Sequence, residues 1–331
     1  MMMKATVYNI SPYERPFFQA QDISGLTLFY KEERLTKDTV SLADGSEAVV
    51  IFTNDEASAE VLEALKNVGV KHVATRTMGM DHIDTEKAKE LGIKVANVPD
   101  YSPYSVAEHS ISLMLALNRK LVIANRKIRE NDFRLNGLVG FDMHGKTVGI
   151  LGAGDIGEVS AKILHGFGCK LLIYDIKEND ELKEKYGARY VEIDKLCEQS
   201  DIISIHAPLT DDTHHLIDHD KINKMKKGVM IINVARGAIC KTEALIEGLK
   251  SRKIGYLGMD VYEHEQGLFF EDHSSDIIQD DLFVRLTGFK NVLITAHQAF
   301  LTHEALKDNI QSTIRNLKAW ADGEASENEL E

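Results

Sequence analysis

Thr147-Val148-Gly149-Ile150-Leu151-Gly152-Ala153-Gly154-Asp155-Ile156-Gly157 decides the fold of this chain. A short apolar run breaks into a glycine turn, and a second apolar run, residues 170–174, ends at Asp175. The order reads as strand, tight turn, helix, strand, with the glycines in the G-x-G-x-x-G spacing of a dinucleotide-binding fingerprint. In that reading Gly152 makes the turn, Gly154 lets backbone approach a pyrophosphate, and Gly157 packs the helix against the strand. The start of the helix meets the anion with free N–H groups and the positive end of its dipole. Asp175 falls about 20 residues beyond the glycines, where a carboxylate accepts bonds from a ribose diol and repels a 2′-phosphate. The stretch therefore points to NAD, and away from NADP, as cofactor.

Upstream of it, residues 5–10, 26–30, 48–52, 70–75 and 93–98 are apolar runs between polar or glycine breaks, which predicts strands. Ser58 is placed to cap a helix running to Asn67, and Asp84 and Thr85 to start one that Gly92 ends. These elements make a small α/β domain. Pro99, Tyr101 and Pro103 then interrupt regular structure, after which Val106, Leu113, Leu117 and Leu121 recur at helical spacing and predict one long helix over 105–129. Downstream, strands at 202–205, 229–234, 256–259 and 291–295 alternate with helices near 218–226, 242–251 and 302–321. Near-continuous apolar strands between helices imply a parallel sheet covered on both faces. Residues 263–288 read as a polar and aromatic excursion, and 324–331 as an acidic, solvated tail.

At 331 residues the chain is long for one core, so two domains are expected. A net charge of -13 argues against nucleic acid or an anionic membrane as partner, and an anionic substrate then needs local cations. The start lacks the apolar run of a signal peptide and no later run is long enough to span a bilayer, so a cytoplasmic protein is expected. Cys169, Cys197 and Cys240 are scattered, without C-x-x-C spacing, and are expected to be reduced packing thiols; no metal site is assigned.

Ligands of an open parallel sheet bind outside the carboxyl ends of its strands. The residues there are Gly152 to Gly154, Asp175, His206 to Pro208, Ala235 to Gly237, Asp260, and Ala296 with His297. Reducing a ketone beside a nicotinamide needs a proton for the developing alkoxide, and imidazolium suits that task near neutral pH. His297, after an apolar strand, is the best placed. A carboxylate would fix its tautomer and stabilise its charged form, and either Glu263 or Glu265 can supply it. Arg236 follows a strongly apolar strand, and its planar fork can hold a substrate carboxylate while polarising the neighbouring carbonyl. His206, Asp201, Asp211, His214 and His215 read as loop or cap residues.

With these residues placed, the sequence resembles the D-2-hydroxyacid dehydrogenase family over essentially its whole length. The motifs that carry the resemblance are Arg76-Thr77-Met78-Gly79-Met80-Asp81-His82-Ile83-Asp84, the glycine turn, Asn233-Val234-Ala235-Arg236-Gly237, the segment from Asp260 to Glu265, and Thr295-Ala296-His297-Gln298-Ala299-Phe300-Leu301-Thr302. The stretch Gly267-Leu268-Phe269-Phe270-Glu271-Asp272, with Asp280 to Phe283, makes it most like the fermentative NAD-dependent D-lactate branch. The resemblance implies reversible reduction of pyruvate to D-lactate, a bulkier 2-oxo acid being the alternative substrate and an NADH-sensing binding protein a more distant one. It implies Arg236, Glu265 and His297 as the catalytic set, so it selects Glu265 over Glu263. Besides the glycines, it implies cofactor contacts at Asp155, Ile156, Asp175, Ala207, Pro208, Val234, Ala235 and Asp260. Substrate contacts follow at Met78, Gly79 and Tyr101, with Phe52 and Phe300 narrowing the pocket; Phe52 stands where some members carry tyrosine, and Thr213 near where some carry asparagine. The implied architecture is a Rossmann-type doubly wound nucleotide domain over 101–298 and a smaller flavodoxin-like substrate domain from 1–100 and 299–331. Members close the two domains over the cofactor and form homodimers or larger homo-oligomers such as tetramers.

Overall fold

Within residues 2–330, which the computed structural model describes, the apolar runs form two sheets in which all the named strands pair in parallel. Each sheet belongs to one of two compact units. The first takes the chain up to Ser102 and resumes at Leu301; the second is Pro103–Phe300.

The first unit contains β1 (Met3–Val7), β2 (Leu26–Tyr30), β3 (Ala48–Ile51), β4 (His72–Thr75) and β5 (Lys94–Ala96), in the order β2-β1-β3-β4-β5. This is the flavodoxin-like winding. All four residues of β3 are buried, because its alternate side chains enter different cores. Val49 and Ile51 pack with Leu62, Leu65 and Val73, whereas Ala48 and Val50 pack with Ile310, Ile314 and Leu317. Those last three lie on the helix His303–Ala321 at i, i+4 and i+7, so a segment remote in sequence, together with Phe18 of the helix Arg15–Gln19, covers that face of the sheet. Each such side chain taken out of water contributes about 1.5–3 kcal/mol, which makes the last helix integral to this unit. Its Trp320 stacks on His72, ring centroids 4.6 Å apart, and donates from Nε1 to Glu329. The expected solvated tail therefore folds back: the N–H of Leu330 donates to Val95, Glu329 bridges Ala96, and Ser326 is buried. Glu331, the last residue of that expected tail, lies outside the described residues.

The second unit contains β6 (Thr147–Leu151), β7 (Lys170–Tyr174), β8 (Arg189–Tyr190), β9 (Ile202–Ile205), β10 (Val229–Asn233), β11 (Ile254–Met259) and β12 (Val292–Ile294). Their order is β12-β11-β10-β9-β6-β7-β8, a doubly wound sheet whose strand order reverses at β6 and β9. All carboxyl ends share one edge, and that edge collects the residues read from the sequence.

Three local expectations are corrected. The predicted long helix is two, Pro103–Asn118 and Leu121–Arg129, separated by Lys120 in a left-handed conformation with φ 56°. The break follows from Asn118, whose buried amide exchanges two hydrogen bonds with the backbone of Phe141 (2.7 and 2.8 Å) and stops the apolar stripe. Leu121, read as its next member, is exposed. The excursion over 263–288 contains a helix, Asp281–Thr287, whose cap Asp280 accepts from the N–H groups of Leu282 and Phe283 and is itself held by the Tyr262 hydroxyl. Ser58 sits at the start of Ala59–Asn67, but its hydroxyl donates to Glu56 and does not cap the helix.

Candidate active site

Gly152 turns the chain out of β6 with φ 87°, and a Cβ there would lie 2.5 Å from the backbone nitrogen of Ala207. Gly157, on the helix Asp155–Gly166, is packed so closely that a Cβ would meet the Gly152 carbonyl oxygen at 2.1 Å. Gly154 differs: it is exposed, and a Cβ would meet nothing within 4 Å. Two glycines thus close the turn against the sheet while the third leaves bare backbone at the helix start. Asp155 and Ile156 follow as its first residues. Asp175, after β7, accepts from the N–H groups of Ala153 (2.6 Å) and Lys177 (2.8 Å), so its carboxylate also braces the glycine turn. Next to it Ile176 is fully exposed. His206 and Ala207 follow β9 at the reversal point, and the His206 N–H donates to Leu151 across it, with Pro208 exposed beyond. Burial alone holds the His206 imidazole down at about 4, and Ser204 lies 2.8 Å from its Nε2.

Asn233, wholly buried at the end of β10, organises the next loop. Its carboxamide oxygen accepts from Ala235 and its NH2 donates to the Arg236 carbonyl, shaping the turn through Val234 and Ala235 that presents Arg236. A Cβ on Gly237 would meet the Tyr262 carbonyl carbon at 2.0 Å, so this loop lies backbone to backbone on the segment after β11. The Arg236 guanidinium is half-buried and donates from Nη1 to the Ala235 carbonyl (2.9 Å).

The two candidate glutamates part company here. Glu263 binds His215 Nε2 and accepts from the N–H of Thr242 (2.9 Å). Burial pushes its carboxyl up, but the Thr242 and His215 bonds outweigh that and hold it below the usual range. Glu265 accepts from the N–H of Tyr262 (2.9 Å) and, at Oε1, from Nδ1 of His297 (2.7 Å).

His297 and its neighbour Ala296 both occupy the left-handed region, at φ 56° and 48°, where non-glycine backbone is costly and must be held by its surroundings. Asp260 supplies the hold. Fully buried, it accepts from Thr295 Oγ1 (2.6 Å) and from the N–H groups of Gln298 and Ala299 (both 2.9 Å), while its carbonyl accepts from the N–H of His297. Burial pushes the Asp260 carboxyl up, yet His109, Thr295 and Ala299 bring it below the ordinary value, so it stays ionised near neutrality. The Thr295 hydroxyl, whose hydrogen is directed at Asp260, accepts from His109 Nε2 at 2.9 Å. His109 and Asn233 are thus organising residues that periodicity does not reveal; only their contacts do.

In the first unit, Met78 and Gly79 form an irregular turn whose carbonyls accept from Asn97 Nδ2 (2.9 Å) and Thr77 Oγ1 (2.6 Å). Phe52 is 7% exposed and lies beside the Arg76 guanidinium, 5.2 Å from its ring centroid; Arg76 is itself buried and paired with Glu14. Tyr101 and, in the second unit, Phe300 are partly exposed. Among the described residues no three His, Cys, Asp or Glu side chains gather as a metal ligand set.

Residues 111–299 match the model for "D-isomer specific 2-hydroxyacid dehydrogenase, NAD binding domain". The D-lactate dehydrogenase of Escherichia coli is 47% identical over 329 residues, covering 99% of this chain and 100% of that protein. The chain belongs to the D-2-hydroxyacid dehydrogenase family. A solved pyruvate reductase of Chlamydomonas reinhardtii superposes with a TM-score of 0.92 at 41% identity, covering 99% of this chain and 98% of that one. An aromatic 2-oxoacid reductase of Clostridium sporogenes is 43% identical, with 96% of each chain covered. As a D-2-hydroxyacid dehydrogenase the protein is an NAD-dependent oxidoreductase, and the glycine turn fits that cofactor: open backbone at Gly154, a helix start behind it, and a carboxylate at Asp175.

Proposed function

We propose that this D-2-hydroxyacid dehydrogenase reduces pyruvate to D-lactate reversibly, with Arg236, Glu265 and His297 as its catalytic residues. The observation that carries the reading is the 2.7 Å pair of Glu265 and His297 on the sheet edge that also bears the glycine turn and Arg236. When bound, NADH supplies the hydride. Gly154, with the N–H groups at Asp155 and Ile156, would receive the pyrophosphate, with Gly152 and Gly157 closing the turn beneath it; Asp175 would receive the ribose; Ala207, Pro208, Val234, Ala235 and Asp260 would border the remainder. Arg236 holds the substrate carboxylate with its fork and draws charge onto the carbonyl oxygen. Glu265 keeps the proton of His297 on Nδ1, which makes Nε2 the atom that delivers a proton to the alkoxide and recovers it in the reverse direction. The N–H groups of Met78 and Gly79 donate to the substrate carboxylate, while Phe52, Tyr101 and Phe300 limit the size of the group beyond the carbonyl. In this assignment the second unit supplies the cofactor contacts, Arg236, Glu265, His297 and Phe300, and the first supplies Met78, Gly79, Phe52 and Tyr101.

The aromatic 2-oxoacid reductase relative keeps a bulkier 2-oxo acid as the second reading. NADH oxidation measured with pyruvate, 2-oxobutyrate, 4-methyl-2-oxopentanoate and phenylpyruvate decides between them. The pyruvate reading expects the highest kcat/KM for pyruvate and fails if phenylpyruvate exceeds it. In the same assay His297→Gln is expected to lower kcat by about 100-fold or more.

We infer homo-oligomers, dimers or tetramers, from the exposed apolar side chains Leu121, Val122, Ile128, Phe133, Leu135 and Val139. We propose a cytoplasmic location, in keeping with three buried free cysteines. Among the described residues no helix is long and apolar enough to cross a membrane.

A further inference from the structure

Phe270 occupies the left-handed region at φ 66°, where a bulky side chain is a genuine outlier, and its side chain stays 38% exposed. Its neighbour Phe269 explains how the backbone is held there. Phe269 is buried against Phe283 and Tyr262, ring centroids 5.9 and 6.4 Å away, and its N–H donates to the Glu265 carbonyl at 2.9 Å. The N–H of Leu268 donates to the same oxygen. One turn of chain therefore starts at Glu265, anchors itself through Phe269, and turns Phe270 the other way. The Phe270 ring meets the imidazole of His297, centroids 5.7 Å apart and planes inclined at 43°. The same turn thus supplies both the carboxylate that binds Nδ1 and an aromatic ring on the flank of the imidazole.

We propose that Phe270 is a positioning residue for proton transfer, acting on His297 and not on the substrate. This rests on the reading of His297 as the acid and base. An apolar ring on the imidazole restricts its rotation about the Cβ–Cγ bond and keeps water from competing for the Glu265 bond. Nε2 then keeps a fixed direction, and proton transfer is sensitive to misplacement on the scale of one ångström. A polar residue at this place would bring water or a rival hydrogen bond to the imidazole.

The strain also provides a clean test. Phe270→Gly removes the ring while suiting the backbone conformation, so the melting temperature is expected to hold or rise. With pyruvate, kcat is expected to fall about tenfold to 100-fold, with little change in KM and none in NADH affinity measured by fluorescence titration. Phe270→Tyr restores a ring and is expected to recover most of kcat. A Phe270→Gly enzyme with normal kcat overturns the proposal, as does a Phe270→Tyr enzyme no better than the glycine variant. His297→Gln, assayed alongside, separates the two levels. If it remains active, the reading of His297 fails; if it is inactive while Phe270→Gly is normal, only the role of Phe270 fails.

Discussion

A lysine at position 236 would keep the positive charge and discard the planar fork. If Arg236 only attracted the substrate anion, most of kcat would survive and the loss would appear in KM. A side chain that grips the carboxylate and also stabilises charge growing on the carbonyl oxygen cannot be replaced by one ammonium. Arg236→Lys is therefore expected to lower kcat by about 100-fold or more as well as raise KM, with NADH affinity nearly unchanged. Steady-state kinetics with pyruvate, beside an NADH titration, measure both; near-normal kcat would end the clamp assignment. Residue types at strand ends are legible from sequence, because an arginine or histidine after an apolar run is conspicuous. Which carboxylate serves His297 is not legible from residue type and position alone, and only the family resemblance favours Glu265 at that stage. Glu263 and Glu265 stand two apart in one polar segment, and in the folded chain the first meets His215 and Thr242 and the second His297.

Two glycines of the same turn should respond to alanine in opposite ways. At Gly157 the new Cβ would strike the Gly152 carbonyl, backbone against backbone, so Gly157→Ala is expected to lower the melting temperature before any ligand is added. At Gly154 it would meet nothing, so Gly154→Ala should fold normally and lose NADH affinity by about tenfold, roughly 1.4 kcal/mol. Thermal unfolding with and without NADH distinguishes them, and equal melting losses would show that Gly154 is a packing residue too. The strands and the turn could be read because parallel strands buried on both faces leave near-continuous apolar runs. The helix break at Lys120 could not, because its cause is Asn118 bonding to Phe141, a tertiary contact with no local signature. Asp280 is a regular capping residue, but the polar company of its helix hides it; Tyr262 and the buried Leu286 settle its place.

Across the whole chain there is one tryptophan, and it belongs to the first unit. Burial, aided by nearby Lys94, lowers the partner His72 to about 4, whereas an unfolded histidine titrates near 6.5. A depressed base stabilises the fold above its unfolded value, and that contribution is lost as pH falls from about 6.5 through about 4. Because protonation places a cation on the Trp320 ring, tryptophan emission is expected to change with a midpoint near 4, and His72→Phe should abolish the step while keeping the stack. A midpoint near 6.5, or a step that persists in the variant, would rule this out. The same helix His303–Ala321 also orders events during synthesis. The strands of the first unit leave the ribosome early, yet the face formed by Ala5, Val7, Ala48 and Val50 has only Phe18 and its short helix Arg15–Gln19 to cover it until Ile310, Ile314 and Leu317 have been translated. The uninterrupted stretch Pro103–Phe300 emerges complete before them. Of the two sheets, the first to be made is therefore the one whose inner face waits longest, in chain order, for the residues that complete it.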